Sequence, residues 1–142
     1  MHHGHYTGMV ETNAQWRKAM LRVLLVEDNP SYRKAFKESL CEHFPSMLID
    51  EAENGEEALQ RINAAPPQLI FMDIRLPGVN GLKPTQRIKR DLPNIHIAML
   101  TGYDVLEYRQ AAVQYGADGF FAKESLKWDE IEALVKRIEQ IS

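Results

Sequence analysis

The sequence lacks long apolar runs, a second cysteine and an excess of positive charge. Its longest apolar runs, among them Val23–Val26 and Leu69–Met72, contain four residues, whereas a membrane-spanning helix needs about 20. The single cysteine, Cys41, excludes an intramolecular disulfide and a zinc site built from several thiolates. The 17 basic and 20 acidic side chains give a net charge of −3, which argues against a positive surface for duplex nucleic acid. We therefore expect no membrane span and no direct nucleic-acid binding.

The N-terminal residues also lack the pattern of a secretory signal, which starts with basic residues and continues into a long apolar run. We therefore expect a cytoplasmic protein. Residues 1–20 contain His2, His3 and His5 close to two glycines, and we interpret this extension as a tag remnant or a flexible leader. The length and the 44% apolar content of the chain predict one globular domain, which we place at residues 21–142.

Five short apolar runs recur at regular intervals along this domain. Nearly continuous runs of valine, isoleucine, leucine and phenylalanine are typical of strands that are buried on both faces of a parallel sheet. The predicted strands are Val23–Val26, Leu69–Met72, Ile95–Leu100 and Gly119–Ala122, together with a weaker apolar run at Leu48–Ala52.

Segments with helical periodicity alternate with these strands, since their apolar residues return every three or four positions. Asn29 and Pro30 have the residue types of a helix cap and a first helical residue, and Gly116 is typical of a helix end. Pro84 must lie in the first turn of its helix, because a later proline would break the hydrogen-bond ladder. The predicted helices cover residues 32–44, 58–62, 82–88, 104–115 and 131–141. Five strands that alternate with five helices predict a doubly wound α/β fold with a five-stranded parallel sheet.

Polar side chains directly follow four of the five predicted strands. Glu27 and Asp28 follow the first strand, Asp73 the third, Thr101 the fourth and Lys123 the fifth. In doubly wound folds the carboxyl ends of the strands form the ligand-binding edge of the sheet. A few carboxylates without histidine or cysteine favour Mg²⁺, which would leave coordination positions open for a phosphoryl oxygen. Phosphoryl transfer depends mainly on such positioning and charge neutralisation, and a carboxylate at this place can be the nucleophile.

Four sequence motifs occur in a fixed order and include all of these side chains. They are LLVEDN at 24–29, FMDIRLPGVNG at 71–81, LTG at 100–102 and GADGFFAK at 116–123. With these motifs the chain resembles the receiver domain of two-component response regulators from about residue 22 to residue 141. The resemblance implies a flavodoxin-like (βα)5 fold with strand order 2-1-3-4-5. It also implies a signalling domain, which takes part in its own phosphotransfer and dephosphorylation, rather than an enzyme with a separate substrate.

The resemblance implies a role for each residue at the strand ends. Asp73 would accept a phosphoryl group from a histidine kinase or a histidine phosphotransfer protein. Glu27, Asp28 and Asp73 would bind Mg²⁺ together with the backbone carbonyl of Arg75. Lys123 would neutralise an oxygen of the phosphoryl group.

Two residues match the positions at which receivers switch. Thr101 would move toward the phosphoryl group, and Phe120 replaces an aromatic residue that is commonly tyrosine, without the hydrogen bond of a hydroxyl. The expected output is a rearranged surface of the fourth helix, fifth strand and fifth helix, which would control dimerisation or a partner domain. We further expect Arg75 and Tyr103 to overhang Asp73, to hinder the hydrolytic water and to lengthen the lifetime of the phosphoaspartate.

The sequence departs from many receivers at Glu124, where they have a proline joined by a cis bond. A non-proline cis bond costs about 2.5–4 kcal/mol, so a trans bond is expected here. This variant resembles receivers that are attached to helix-turn-helix DNA-binding domains. The chain is then either a stand-alone receiver or a piece of a longer regulator with a DNA-binding output domain.

Three other functions remain open from the residues. A Mg²⁺-dependent phosphohydrolase would use Asp73 as nucleophile, but such enzymes tend to have a second carboxylate two residues later, where this chain has Arg75. A flavin or nucleotide carrier would need a phosphate-binding loop after the first strand, and neither a Walker-type glycine pattern nor a Ser/Thr/Gly-rich loop is visible there. A degenerate receiver would only dock a partner, and the complete set of site residues argues against it.

Overall fold

The computed structural model describes residues 21–76 and 79–141 of the chain. The predicted N-terminal extension, residues 1–20, lies outside the described residues. No helix in the described ranges combines the length and the apolar composition that crossing a bilayer requires.

Five parallel strands form the central sheet. They are β1 (Arg22–Val26), β2 (Leu48–Ala52), β3 (Leu69–Asp73), β4 (His96–Thr101) and β5 (Gly119–Ala122), in the order β2-β1-β3-β4-β5. Each pair of neighbours is parallel. The predicted fold class and strand order are confirmed. Strand order reverses between β1 and β3, so the carboxyl ends of these two strands lie at the switch point where doubly wound folds bind ligands.

Five helices connect and follow the strands. They are α1 (Pro30–His43), α2 (Gly55–Ala64), α3 (Leu82–Asp91), α4 (Leu106–Gln114) and α5 (Trp128–Ile141). Asn29 caps α1 as predicted, because its Oδ1 accepts hydrogen bonds from the backbone N–H groups of Ser31 and Tyr32 at 3.0 and 3.1 Å. Gly116 follows α4 with a φ of 88°, a left-handed conformation that favours glycine. The start of α4 differs from the prediction, since Val105 is its N-cap and Asp104 lies outside the helix.

The helices cover both faces of the sheet, because alternate residues of each strand point to opposite sides. On one face α1 and α5 pack through Phe36, Leu40, Ile131, Leu134, Val135 and Ile138. On the other face α2, α3 and α4 pack through Ala58, Ile62, Leu82, Ile88 and Ala112. All five residues of β3 are buried, which fits its place at the centre of the sheet.

A short antiparallel ribbon follows β3, and the sequence did not predict it. Arg75–Leu76 pairs with Val79–Asn80 in a two-stranded sheet of its own. Two-residue strands are too short to show a periodic pattern. The ribbon returns the chain to Gly81, whose N–H donates a 2.6 Å hydrogen bond to the carbonyl of Ile74. This return places the start of α3 directly against the end of β3.

Candidate functional site

The side chains predicted from the strand ends meet at one edge of the sheet. The ammonium of Lys123, after β5, lies 3.0 Å from Asp73 Oδ2 and also contacts Glu27 Oε1. Glu27, Asp28 and Asp73 each offer a carboxylate oxygen, and these oxygens lie within 4.8 Å of one another. Three strands therefore bring three carboxylates and one ammonium into a single polar pocket.

Burial controls the protonation of this pocket. Glu27 and Asp73 are buried, while Asp28 is exposed. Burial raises the pKa of Glu27 to about 7, and the charge of Asp73 adds to this effect, whereas Lys123 and the N–H of Asn29 lower it. Burial lowers the pKa of Lys123, but its hydrogen bonds to Glu27 and Asp73 outweigh burial and raise that pKa overall. The Lys123 ammonium therefore stays charged at neutral pH.

The donor set of the pocket fits a hard divalent cation. Its three carboxylates and one ammonium carry a net charge of −2 when all are ionised. The candidate side-chain ligands supply oxygen only, and Asp28 is open to solvent on the outer side of the pocket. Mg²⁺ prefers oxygen ligands and usually keeps several waters, so a pocket with one exposed side suits it.

Asp73 is held by two donors on its two carboxylate oxygens. Its Oδ1 accepts a 3.0 Å hydrogen bond from the backbone N–H of Arg75, and its Oδ2 accepts one from Lys123 at the same distance. The first donor comes from the ribbon and the second from the loop after β5. These two contacts hold the carboxylate, which lies at the end of a buried strand, toward the shared pocket.

The hydroxyl of Thr101 is turned toward its own loop. It is buried, donates to the carbonyl of Tyr103 at 2.9 Å and lies 3.0 Å from the N–H of Tyr103, from which it accepts. A hydrogen bond from this hydroxyl to a group on Asp73 would therefore require it to give up the carbonyl of Tyr103.

Phe120 lies half-buried beneath a charged side chain of α4. The guanidinium carbon of Arg109 lies 4.7 Å from the centre of the Phe120 ring, within the range of a cation–π contact. Asp104 holds Arg109 through two hydrogen bonds of 2.6 and 3.0 Å. The peptide bond between Lys123 and Glu124 is trans.

Arg75 and Tyr103 contact each other on the surface beside the pocket. The guanidinium carbon of Arg75 lies 4.9 Å from the centre of the Tyr103 ring, and Tyr103 is 55% exposed. This pair joins the ribbon to the loop after β4. The sequence singles out the two residues only by their distance along the chain from Asp73 and Thr101, and the structure places them in contact.

The first turn of α1 carries three site contacts that sequence reasoning missed. The N–H of Asn29 donates to Glu27 Oε2 at 3.0 Å, and Arg33 Nη1 donates to the carbonyl of Glu27 at 2.6 Å. The ring of Tyr32 lies 5.0 Å below the Lys123 ammonium. The helical periodicity places Tyr32 on the buried face of α1. A tyrosine hydroxyl on a buried face usually has a hydrogen-bond partner, and this was the signal in the sequence that Tyr32 makes a polar contact.

Comparison with known proteins identifies the family of this chain. The family model described as "Response regulator receiver domain" matches residues 23–138. Transcriptional activator protein ExaE of Pseudomonas putida is 34% identical over 116 residues, which are 82% of this chain and 54% of ExaE. Chemotaxis protein CheY of Halobacterium salinarum is 37% identical over 113 residues, which are 80% of this chain and 92% of CheY. The chain thus spans about half the length of ExaE and nearly all of this CheY.

Solved structures agree with the sequence relatives. The response regulator protein TrrA of Thermotoga maritima, solved in complex with Mg(2+)-BeF, has a TM-score of 0.73 and 36% identity, and the match covers 84% of this chain and 99% of that chain. A CheY-like receiver domain protein of Methanospirillum hungatei has a TM-score of 0.75 and 25% identity, with 85% and 95% covered. The comparisons give no support to a phosphohydrolase. The chain belongs to the receiver domain family of two-component response regulators.

Proposed function

We propose that Asp73 accepts a phosphoryl group from a phosphohistidine of a histidine kinase or a phosphotransfer protein. The observation that carries this proposal is the 3.0 Å contact between Asp73 Oδ2 and Lys123 in a pocket that also contains Glu27 and Asp28. A carboxylate oxygen of Asp73 would attack phosphorus, the P–N bond of the phosphohistidine would break, and the imidazole would leave with the electron pair. The product is an acyl phosphate on Asp73. We place the receiver domain that carries out this step at residues 21–142.

Glu27, Asp28 and Asp73 are the side chains that would hold Mg²⁺, and the backbone carbonyl of Arg75 is proposed as a further ligand. The bound ion would neutralise negative charge on the phosphoryl oxygens. Lys123 would pair with a second phosphoryl oxygen, since its ammonium already touches Asp73. These groups orient the reacting oxygen and lower the repulsion between two anions, which is most of what phosphoryl transfer requires.

The output of phosphorylation would pass through Thr101 and Phe120. Thr101 would exchange its bond to the Tyr103 carbonyl for one to the phosphoryl group, which would move the loop after β4. Phe120 would follow by leaving its contact with Arg109. The surface formed by α4, β5 and α5 would then change its packing and control a homodimer or a partner domain.

Partners beyond the chain are part of the same proposal. ExaE is a transcriptional activator and extends well beyond the matched region, which supports a DNA-binding output domain in the full-length protein. Nucleic-acid contacts would then belong to that domain and not to residues 21–142. We also propose a cytoplasmic location, as expected from the sequence.

Incubation with acetyl phosphate and Mg²⁺ tests the proposed chemistry. We expect the intact mass to rise by one phosphoryl group per chain, because the P–O bond of acetyl phosphate breaks and acetate leaves when Asp73 attacks. We expect an excess of EDTA to slow the reaction at least tenfold, since the pocket would then keep its uncompensated negative charge. Unchanged labelling in EDTA would contradict the metal site, and no labelling in either buffer would contradict the function.

The contact between Arg75 and Tyr103 predicts a slow loss of the phosphoryl group. We expect Arg75→Ala and Tyr103→Ala each to speed the decay of the phosphorylated chain by about two- to tenfold, because a smaller side chain opens a path for water. The decay is followed by intact mass after the phosphodonor is removed. Val113→Ala, at an exposed position of α4, is the matched control and should decay as the unmodified chain does. If both variants decay at the wild-type rate, the two side chains do not shield the site.

A further inference from the structure

Tyr32 contacts Lys123 through both its ring and its hydroxyl. The Lys123 ammonium lies 5.0 Å from the centre of the Tyr32 ring, inside the roughly 6 Å limit of a cation–π contact. The Tyr32 hydroxyl donates a long hydrogen bond, 3.4 Å, to the backbone carbonyl of Lys123. The ammonium is therefore in contact with two carboxylates, Glu27 and Asp73, and with one aromatic face.

The ring of Tyr32 is fixed, whereas Lys123 lies in a loop. The N–H of Tyr32 is capped by Asn29, and its ring stacks on that of Phe36 with centres 5.9 Å apart and an interplanar angle of 19°. Lys123 directly follows the last residue of β5 and carries a flexible four-carbon stem. The rigid partner in this contact is therefore the first turn of α1.

Phosphorylation would change one contact of the ammonium and leave the aromatic one unchanged. Once Asp73 becomes an acyl phosphate, it no longer carries a carboxylate charge, and the Lys123 ammonium would pair with the phosphoryl oxygens instead. Glu27 and the ring of Tyr32 are the contacts that persist through this step, and only Tyr32 stands outside the proposed metal ligands. The attraction of a ring face for a cation does not depend on the state of Asp73.

The geometry points to Tyr32 as a positioning residue of the phosphorylation site, whose aromatic ring holds the Lys123 ammonium toward the phosphoryl group. This inference rests on the proposed function, because Lys123 must act on that group for its position to matter. Tyr32 would act only through Lys123 and would make no contact with the phosphodonor itself.

The test compares the rate of phosphorylation by acetyl phosphate, at fixed Mg²⁺, among variants followed by intact mass. We expect Tyr32→Leu to react about 3- to 30-fold more slowly, the range that the loss of a cation–π contact implies. Tyr32→Phe, which keeps the ring, should react within about twofold of the unmodified chain. Tyr32→Phe as slow as Tyr32→Leu would overturn the proposal.

Leu40→Ala is the control for general damage to α1. Leu40 is fully buried on the same helix, two turns from Tyr32, so its truncation weakens the packing of α1 away from the Lys123 contact. We expect Leu40→Ala to unfold at lower urea concentrations but to be phosphorylated at the wild-type rate. A Leu40→Ala variant as slow as Tyr32→Leu would overturn the proposal, because the effect would then follow stability.

A double variant tests whether Tyr32 acts through Lys123. In a Lys123→Met background we expect Tyr32→Leu to cause no further slowing, because the cation that the ring holds is absent. The same fold-change in both backgrounds would overturn the inference. Failure of the proposed function is seen separately, since the unmodified chain itself would then gain no phosphoryl group.

Discussion

Replacing Asp73 by asparagine is expected to abolish phosphorylation completely. The amide lacks the anionic carboxylate oxygen that would attack phosphorus in the proposed function, so the nucleophile is lost. Intact mass after incubation with acetyl phosphate and Mg²⁺ should remain that of the unmodified variant. The unmodified chain, treated in parallel, should gain one phosphoryl group.

Asparagine has nearly the same shape as aspartate, so this substitution removes the reactive carboxylate and leaves the fold unchanged. Asparagine keeps an oxygen that can accept the 3.0 Å hydrogen bond from Arg75, and the site remains filled. The circular dichroism spectrum should therefore stay that of the folded chain. Asp50→Asn on β2, where the carboxylate forms a surface ion pair with Arg22, is the matched control and should be phosphorylated normally. Labelling of the Asp73→Asn variant at the wild-type rate would place the acceptor elsewhere.

The second large effect is expected on stability, from Gly81→Ala. A Cβ atom on Gly81 would lie 2.1 Å from the backbone carbonyl oxygen of Asp73, which is well inside any van der Waals contact. The neighbour is backbone and cannot rotate away, so β3 and the start of α3 would have to separate. We expect the free energy of unfolding to fall by about 3 kcal/mol, measured by urea denaturation.

Gly102 offers a control for this substitution, because it directly follows β4 at the edge of the central sheet where β3 also ends. No atom lies within 4 Å of a Cβ built on Gly102, so Gly102→Ala should change the free energy of unfolding by less than about 1 kcal/mol. The φ of Gly81 is −62°, a value that alanine adopts freely, so backbone strain does not enter. A Gly81→Ala variant as stable as the Gly102→Ala variant would show that the close approach of the two backbones is relaxed in solution.

The Gly81 substitution should also affect the pocket. The Asp73 carbonyl and its side chain belong to one residue, and displacing the first tilts the second away from Lys123. We therefore expect Gly81→Ala to slow phosphorylation even under conditions in which it is folded. The Gly102→Ala variant should keep the normal rate.

The strands and helix ends could be predicted because their signals are local. The bounds of β2 and β5 agree with the predicted runs. The rule that buried parallel strands need nearly continuous apolar residues holds best for the central strand β3, which is buried along its whole length. Asn29 and Gly116 marked a helix start and a helix end, because capping and left-handed turns depend on one or two residues. The start of α4 was predicted two residues too early. Val105 is the N-cap of this helix, and Asp104 lies outside it, where it pairs with Arg109.

The neighbours of the site residues could not be predicted in the same way. The stacking of Arg109 on Phe120 and of Arg75 on Tyr103 joins residues from separate elements, and nothing in the residue types fixes such pairs. The orientation of the Thr101 hydroxyl toward Tyr103 depends on the path of one loop. These contacts exist only after the sheet has brought the loops together.

The sequence by itself determined the order of strands and helices, the strand ends that carry acidic and basic residues, and the family resemblance. Each of these depends on residue type and on spacing along the chain. Only the tertiary structure decided that Lys123 touches both Glu27 and Asp73, that the Tyr32 ring lies beside its ammonium, and that Gly81 lies against the Asp73 backbone. The physical reason is that these contacts join residues as distant along the chain as Glu27 and Lys123, whose distances are fixed by parallel pairing and helix packing and not by any local preference.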